Sequence, residues 1–371
     1  FMNLGFDAKR LFLNHSGLGN YSRWLVNGLQ NNFPEHQYHL YTTGLSDVSK
    51  SFEADNIHFH LPTNLFKSFW RTKGIKKNLI SDKIDVYHGL SNELPLGIER
   101  CGIKTIVTIH DLIFLIHPEY YGTIDRKIYD KKFRHACEKA DKIVAISEHT
   151  KQTIQTFYNI PSEKIEVIYM DAPPIDYEVW KEDEVKKFAE IQGITKPFLL
   201  NVGSIGGRKN QIRILEALSE LGKSSDLNLI LVGKPGKYDA DFHQRIKELN
   251  LENRVTMLGQ VNNTELNALY QLSYATIYPS LYEGFGIPII ESFRQNKPVI
   301  TSIGSSLEEI AGKGGLTCNP LEIKSIANSI LSIQSPEKYA LLQQEISNEL
   351  LRFTPEKTIF KYMELYTGVM K

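Results

Sequence analysis

Short apolar runs alternate along the chain with segments whose apolar residues recur at every third or fourth position. The runs predict strands at Met2–Phe6, Tyr38–Thr43, Ile84–Ser91, Thr105–Leu112, Lys142–Ser147 and Ile165–Met170. After a break they resume at Phe198–Gly203, Leu227–Gly233, Val255–Val261, Ala275–Tyr278 and Val299–Ser302. Between them, spacings such as Tyr21, Trp24, Leu25, Leu29 or Ile212, Leu215, Leu218, Leu221 predict amphipathic helices. This alternation of strand and helix points to α/β layers built on parallel sheets. The break is Asp171-Ala-Pro-Pro-Ile-Asp176, where adjacent prolines bar both a helix and a sheet ladder. It predicts two domains, residues 1–173 and 174–354. Helix patterns at Ile323–Ile333, Pro336–Leu351 and from Pro355 onward close the chain.

Composition adds bounds to this picture. With 371 residues, 42% hydrophobic and 23% charged, the chain is long enough for two cores. A formal net charge of zero argues against nucleic acid as the main partner, because neutralising phosphates takes a basic surplus. Cys101, Cys137 and Cys318 are far apart and form no Cys-x-x-Cys. They read as small buried side chains, and suggest neither a disulfide framework nor a zinc site. No apolar run is long enough to span a membrane. The first strand follows the N-terminus without a signal-peptide pattern, so a cytoplasmic setting is expected, and Phe1 ahead of Met2 is given no role.

The stretch Ser280-Leu-Tyr-Glu-Gly-Phe-Gly-Ile-Pro-Ile-Ile-Glu291 carries the strongest chemical signal. A strand runs into it and a helix runs out, and Pro288 suits the first helical position. The amides of Gly284, Phe285, Gly286 and Ile287 are therefore expected to be unpaired donors facing an anion. Glu283 and Glu291 flank them. A carboxylate has little reason to touch a phosphate, but good reason to accept hydrogen bonds from sugar hydroxyls attached to one. The stretch reads as a nucleotide-sugar site. A second junction, Gly203-Ser204-Ile-Gly-Gly-Arg208-Lys209-Asn210, sets two cations beside a helix N-terminus, against the helix dipole. That placement suggests an anionic ligand, with diphosphate the natural candidate. Two solvated surface cations are the plainer alternative.

Gly17 and Gly19 fall between the first strand and the first helix, in a loop where backbone can approach a ligand. Ser22 stands where a dinucleotide fingerprint needs glycine or alanine, which disfavours NAD. His88, His110 and Asp111 lie at carboxyl ends of strands, where open α/β sheets bind ligands. A single histidine is more often a core or surface group. His110 is the better candidate, because its strand is apolar up to it and Asp111 follows. Asp239-Ala-Asp241 mimics a metal-binding Asp-x-Asp but opens a helix, where acidic residues need no metal.

Residues Leu65–Leu79 hold Lys67, Arg71, Lys73, Lys76 and Lys77 without an acid, and set Phe66, Phe69 and Trp70 on one predicted helical face. Two readings stand. One is a basic amphipathic patch resting on an anionic membrane or acceptor. The other, ranked first, is a helix that packs its aromatics onto the sheet and solvates its basic face.

Five segments occur in one order: Gly-Leu-Gly-Asn-Tyr at 17–21, Thr-Ile-His-Asp-Leu at 108–112, Ala-Asp-Lys-Ile-Val-Ala-Ile-Ser-Glu at 140–148, Gly-Gly-Arg-Lys-Asn at 206–210, and Glu283 with Glu291. Over nearly the whole chain they resemble family 4 of the retaining glycosyltransferases. The resemblance implies a GT-B fold: two Rossmann-like domains facing across a cleft, the first for the acceptor, the second for a nucleotide sugar, with residues 355–371 crossing back onto the first. It implies that Arg208 and Lys209 bind the donor diphosphate, Glu291 the ribose hydroxyls and Glu283 the transferred sugar. The amides after Glu283 would serve sugar and phosphate, with Gly203 and Ser204 in the same donor site. Gly17 and Gly19 would close over the donor, His110 would lie beside the reacting sugar, and the base would sit near Lys234 and Val261. His88 and Asp111 remain candidates for the acceptor side. The loop Phe114–Tyr121, with His117-Pro-Glu119, is similar to that of mannosyl- and related hexosyltransferases.

The reaction so implied is metal-independent hexose transfer, without a cofactor and with retention, from a GDP- or UDP-sugar. GDP-mannose is the first choice of donor. The acceptor would be a glycan or lipid-linked saccharide in cell-surface polysaccharide or glycolipid synthesis, in the cytoplasm or on the inner face of the membrane. Rival readings are a nucleotide-sugar epimerase or a glycoside phosphorylase on the same fold, and a non-catalytic nucleotide-sugar-binding protein.

Overall fold

The computed structural model describes residues 1–14, 17–63, 67–171, 180–236 and 238–371. The chain divides into two compact units, Phe1–Pro173 with Thr354–Lys371, and Pro174–Phe353. The prolines that predict the boundary lie outside the described residues.

The first unit holds strands β1 (Asn3–Asp7), β2 (Gln37–Tyr41), β3 (Ile57–His60), β4 (Val86–Gly89), β5 (Lys104–Ile109), β6 (Lys142–Ala145) and β7 (Ile165–Val167). They form one parallel sheet in the order β3-β2-β1-β4-β5-β6-β7. The central strands are covered on both faces, and β5 accordingly buries Ile106, Val107 and Ile109 together with Thr105 and Thr108. The last helix, Pro355–Met370, belongs to this unit and packs on helix Gly17–Asn32.

The second unit holds β8 (Phe198–Val202), β9 (Asn228–Val232), β10 (Val255–Gly259), β11 (Ala275–Tyr278), β12 (Val299–Ser302) and β13 (Gly315–Cys318), parallel in the order β10-β9-β8-β11-β12-β13. In each sheet the strand order reverses beside its first strand, between β1 and β4 and between β8 and β11. Loops leaving the carboxyl ends of such a pair diverge to opposite faces and open the crevice in which doubly wound sheets hold ligands.

The basic segment departs from expectation. Lys67–Phe69 is one α-helical turn, Trp70–Gly74 is π-helical, and α-helix resumes at Ile75–Ser81. A wider turn breaks the 3.6-residue phase on which a shared aromatic face depends. Phe69 stays 59% exposed, whereas Trp70 is buried and its Nε1 donates to Asn78 Oδ1 at 3.0 Å. Phe66 lies outside the described residues. Arg71 is not on a solvated face: it forks onto both Asp7 oxygens and donates to Glu93 Oε2 at 2.8 Å. Lys67, Lys73 and Lys77 are exposed and Lys76 is half-buried. Among the described residues no helix is long and apolar enough to cross a membrane.

Candidate functional site

The second unit's switch point brings together what the sequence holds 74 residues apart. β8 and β11 are hydrogen-bonded neighbours, with Leu199 opposite Ala275, so the loops that follow them start side by side. After β8 the chain makes a 3₁₀ turn at Gly207–Lys209, then a left-handed residue at Asn210 (φ 63°). Asn210 Nδ2 donates to the carbonyls of Pro279 at 2.9 Å and Pro320 at 2.7 Å, and Leu281 N–H donates to the Arg208 carbonyl at 2.8 Å. These bonds stitch the two loops together and fix Arg208 and Lys209 over the end of β11.

Glu283 sits between the two cations. Its oxygens lie 2.6 Å from Arg208 Nη1 and 2.6 Å from Lys209 Nζ, and Tyr278 hydroxyl donates to it at 3.1 Å. Arg208 also donates to the Tyr282 carbonyl at 2.7 Å. Lys209 donates to the Tyr278 hydroxyl and lies 4.7 Å from its ring centre. Burial pushes the Glu283 carboxyl up, but the charges of Lys209 and Arg208 outweigh it and hold the group at about 2. Burial likewise disfavours the Lys209 ammonium, and Glu283 more than restores it. The cations that looked anomalous beside a helix N-terminus thus have an internal counterion, which proximity in sequence does not show. Two positive charges against one negative still leave a surplus of one.

The loop beyond Glu283 is tied down by Ser306, whose Oγ donates to the carbonyls of Glu283 at 2.6 Å and Phe285 at 3.1 Å. Phe285 is buried, and Gly286 is the N-cap of helix Ile287–Arg294, so Pro288 occupies the second helical position and not the first. Helix Ser306–Ala311 is capped by Ser305, whose side chain accepts from Leu307 N–H, which leaves the Ser306 hydroxyl to the loop. Glu291, 8% exposed, accepts from the Tyr270 hydroxyl at 2.7 Å. Burial raises its pKa against that hydrogen bond. Gly203 and Ser204 lead into the cation loop, Gly203 with its α-carbon facing the Lys209 stem and Ser204 exposed. Lys234 is exposed after β9, and Val261 packs half-buried on the apolar cluster behind β8 and β9. Tyr278, Tyr270, Asn210 and Ser306 are the positioning side chains that sequence reading missed. Only Tyr278, the polar-tipped end of an apolar strand, carried a usable signal.

In the first unit, Gly17 and Gly19 are not in a loop. They form the first turn of helix Gly17–Asn32, after a short helix Lys9–Leu13. Gly17 faces open space, but a β-carbon on Gly19 would lie 1.9 Å from the carbonyl oxygen of Asn14, the C-cap of helix Lys9–Leu13, so the second glycine is required by the close approach of the preceding helix end. His88 is a correction as well. It is 1% exposed, with Nδ1 2.7 Å from the Tyr366 hydroxyl and Nε2 2.8 Å from Thr108 Oγ1. With Tyr21 hydroxyl 2.6 Å from that of Tyr362, it ties the last helix to the sheet and is closed to an acceptor. His110 is also buried. Its backbone N–H donates to Asn92 and its Nε2 donates to the Leu90 carbonyl at 2.9 Å, which makes Nδ1 the lone-pair nitrogen. Burial lowers its pKa to about 4, so the ring is neutral in the physiological range. Asp111 Oδ1 accepts from Ile113 N–H at 3.2 Å and opens helix Ile113–Ile116.

The model of Glycosyltransferase Family 4 matches residues 15–170, and that of Glycosyl transferases group 1 matches residues 183–348. The chain belongs to these glycosyltransferases. Among curated members, the O-antigen chain mannosyltransferase RfbU of Salmonella typhimurium is 32% identical over 62% of this chain and 60% of its own. O-antigen chain mannosyltransferase B of Escherichia coli is 29% identical over 66% of this chain and 64% of its own. The matched part of the glycosyltransferase thus spans less than two thirds of either relative. Among solved structures, Anabaena HepE in complex with UDP and glucose superposes with a TM-score of 0.76 at 18% identity, covering 99% of this chain and 100% of that one. WaaG, a glycosyltransferase involved in lipopolysaccharide biosynthesis, gives 0.71 at 17%, covering 96% and 98%. The fold is GT-B, with two Rossmann-like domains on parallel sheets.

Proposed function

We propose that this glycosyltransferase moves a hexose, mannose from GDP-mannose in the first instance, onto a glycan or lipid-linked acceptor in the synthesis of a cell-surface polysaccharide. The Arg208–Glu283–Lys209 cluster at the β8/β11 switch point carries the reading. It offers net positive charge for a diphosphate and a carboxylate for sugar hydroxyls within one set of contacts. Glu291, held by Tyr270, is the second carboxylate and takes the ribose. The names of the O-antigen mannosyltransferases support the sugar and the polymer. HepE with UDP keeps a uridine donor as the second candidate.

Charge dictates the chemistry. When the anomeric C–O bond breaks, its electron pair goes to the leaving phosphate oxygen and the ring becomes electron-poor. Arg208, Lys209 and the amides at the start of helix Ile287–Arg294 take up the developing negative charge without a metal. The acceptor oxygen then bonds to the same face of the anomeric carbon, and its proton passes to the departing phosphate, so configuration is retained. His110, neutral in the physiological range, can offer a hydrogen bond and not a charge.

The test is a thermal-shift series with GDP, UDP and ADP sugars, then NMR of the product formed with the stabilising donor. A transferred sugar with retained anomeric configuration, formed in excess EDTA, is expected. Inversion overturns the mechanism, and release of an epimerised nucleotide sugar overturns the class.

A further inference from the structure

The first unit gathers a second set of polar side chains that transfer does not use. β2 and β3 pair with His39 opposite His58 and Tyr41 opposite His60. Strand alternation turns Gln37, His39 and Tyr41 to the same face as His58 and His60. Asp82, just after helix Ile75–Ser81, reaches that face. Its Oδ2 lies 3.3 Å from His60 Nδ1 and accepts from the Tyr41 hydroxyl at 2.8 Å. Tyr41 also stacks on His60, ring centres 4.4 Å apart. On the other side of the ring, His60 Nε2 lies 3.0 Å from His39 Nδ1. His58 is engaged elsewhere, its Nε2 2.6 Å from Gln37 Oε1.

These contacts order the protons. The Asp82 carboxylate accepts from Nδ1–H of His60, which leaves Nε2 of His60 as a lone pair accepting from Nδ1–H of His39. A single proton therefore lies between two imidazole nitrogens. Moving it to His39 Nε2 leaves two lone pairs converging on one point. Two nitrogens bound to tetrahedral zinc at about 2.0–2.1 Å stand roughly 3.3 Å apart, so a ring shift of a few tenths of an ångström admits the ion. A carboxylate behind the ring is how metal-binding histidines are oriented and made more basic. His39, His60 and Asp82 each offer a ligand atom within 4.8 Å of the others.

We propose that His39 and His60, with Asp82 holding His60 in place, bind a divalent transition metal of the zinc class. Water completes the coordination. The ion pins edge strand β3 to β2 and to the end of helix Ile75–Ser81. It is structural, on residues distinct from His110 and from the Arg208–Glu283–Lys209 cluster.

Tag-free full-length protein, stripped with EDTA and exchanged into chelator-free buffer, is titrated with Co²⁺ and then Zn²⁺. The expected result is one equivalent bound, a visible cobalt absorption band that zinc abolishes, and a higher melting temperature with zinc. His39→Ala and His60→Ala remove the band. Asp82→Asn weakens binding about 10–100-fold, as second-layer partners of ligands do. His58→Ala, which removes a neighbouring imidazole but no proposed ligand, keeps it. Absence of saturable cobalt binding by the wild-type protein, or one equivalent bound by a folded His39→Ala/His60→Ala double variant, overturns the proposal.

Discussion

Replacing Glu283 with glutamine removes a negative charge from between two cations while keeping the side chain's shape. In the wild type the carboxylate is 2.6 Å from each cation and its pKa is held at about 2, against an ordinary value of 4.5. The difference, about 2.5 units at 1.36 kcal/mol each, is worth about 3 kcal/mol. That agrees with the roughly 3–5 kcal/mol typical of breaking a buried pair. A carboxyl whose pKa is depressed stabilises above its ordinary value and loses that contribution as pH falls through 4.5 towards 2. At pH 7 the variant should therefore melt about 6–12 °C lower, for a unit of this size. The gap to wild type should close in acid. Nucleoside diphosphate should act in the opposite sense. Without their internal counterion, Arg208 and Lys209 gain more from the ligand's charge, so GDP or UDP should raise the melting temperature of Glu283→Gln more than that of the wild type. Sugar transfer should be lost, because the amide offers one accepting oxygen where the carboxylate offers two, and carries no charge to set against the electron-poor sugar ring. Scanning fluorimetry with and without GDP and UDP, over a pH series, reads all but the last effect, which a transfer assay reads. Equal stability at pH 7 would refute the charge pairing. Loss of diphosphate stabilisation would refute the placement of diphosphate on the cations.

Lys209→Ala should cut kcat by roughly 10²–10³, the loss of one preorganised contact to developing charge, with the fold intact by circular dichroism. Near wild-type turnover would remove the diphosphate assignment. Gly233→Ala would place a β-carbon 2.2 Å from the Gly203 carbonyl oxygen at a φ of 157°. It should cost about 1–3 kcal/mol in a denaturant melt and weaken GDP binding by pushing apart the loops that carry Lys209. Tyr270→Phe deletes the hydroxyl that lowers the Glu291 pKa against burial. Glu291 should then protonate at higher pH, so that donor KM rises more at pH 6 than at pH 8 in steady-state assays. His110→Ala should depress transfer while the GDP-induced melting shift, which reports on the second unit, stays at the wild-type value.

The parts of this fold that were legible are those where burial writes its own pattern. β5, β8 and β9 are covered on both faces and have neighbours on both edges, so apolar residues dominate their sequences, with Thr105, Thr108 and Asn201 as buried polar exceptions. The two strands that sequence reading missed are both at sheet edges: Ile57-His-Phe-His60 and Gly315-Leu-Thr-Cys318. An edge strand is half solvated and needs no apolar run, and the polar positions of β3 are His58 and His60, the second a ligand of the proposed metal site. His88 shows the opposite failure: it lies near the carboxyl end of a buried strand, where a ligand group is expected. What closes His88 is Tyr366, 278 residues later.

The expectation drawn from the cation pair at Arg208 and Lys209 needs amending. Two cations opposed to a helix dipole do imply an anion, and the structure supplies one from within, Glu283. Complete internal pairing would weaken the case for a ligand, but the pairing is not complete, because one carboxylate faces two cations. Topology explains why the three meet: β8 and β11 are adjacent where the strand order reverses, so the loop after each must pass the other. On this reading Glu283 has two states. Without donor it neutralises Arg208 and Lys209 and stabilises their loop. With donor, the diphosphate takes over that task and frees the carboxylate for the sugar it accompanies. A site in which the same residue guards the phosphate contacts and reads the sugar couples the two halves of the donor. Free diphosphate, free hexose and the intact nucleotide sugar should then bind non-additively, the intact donor more tightly than its separated parts predict.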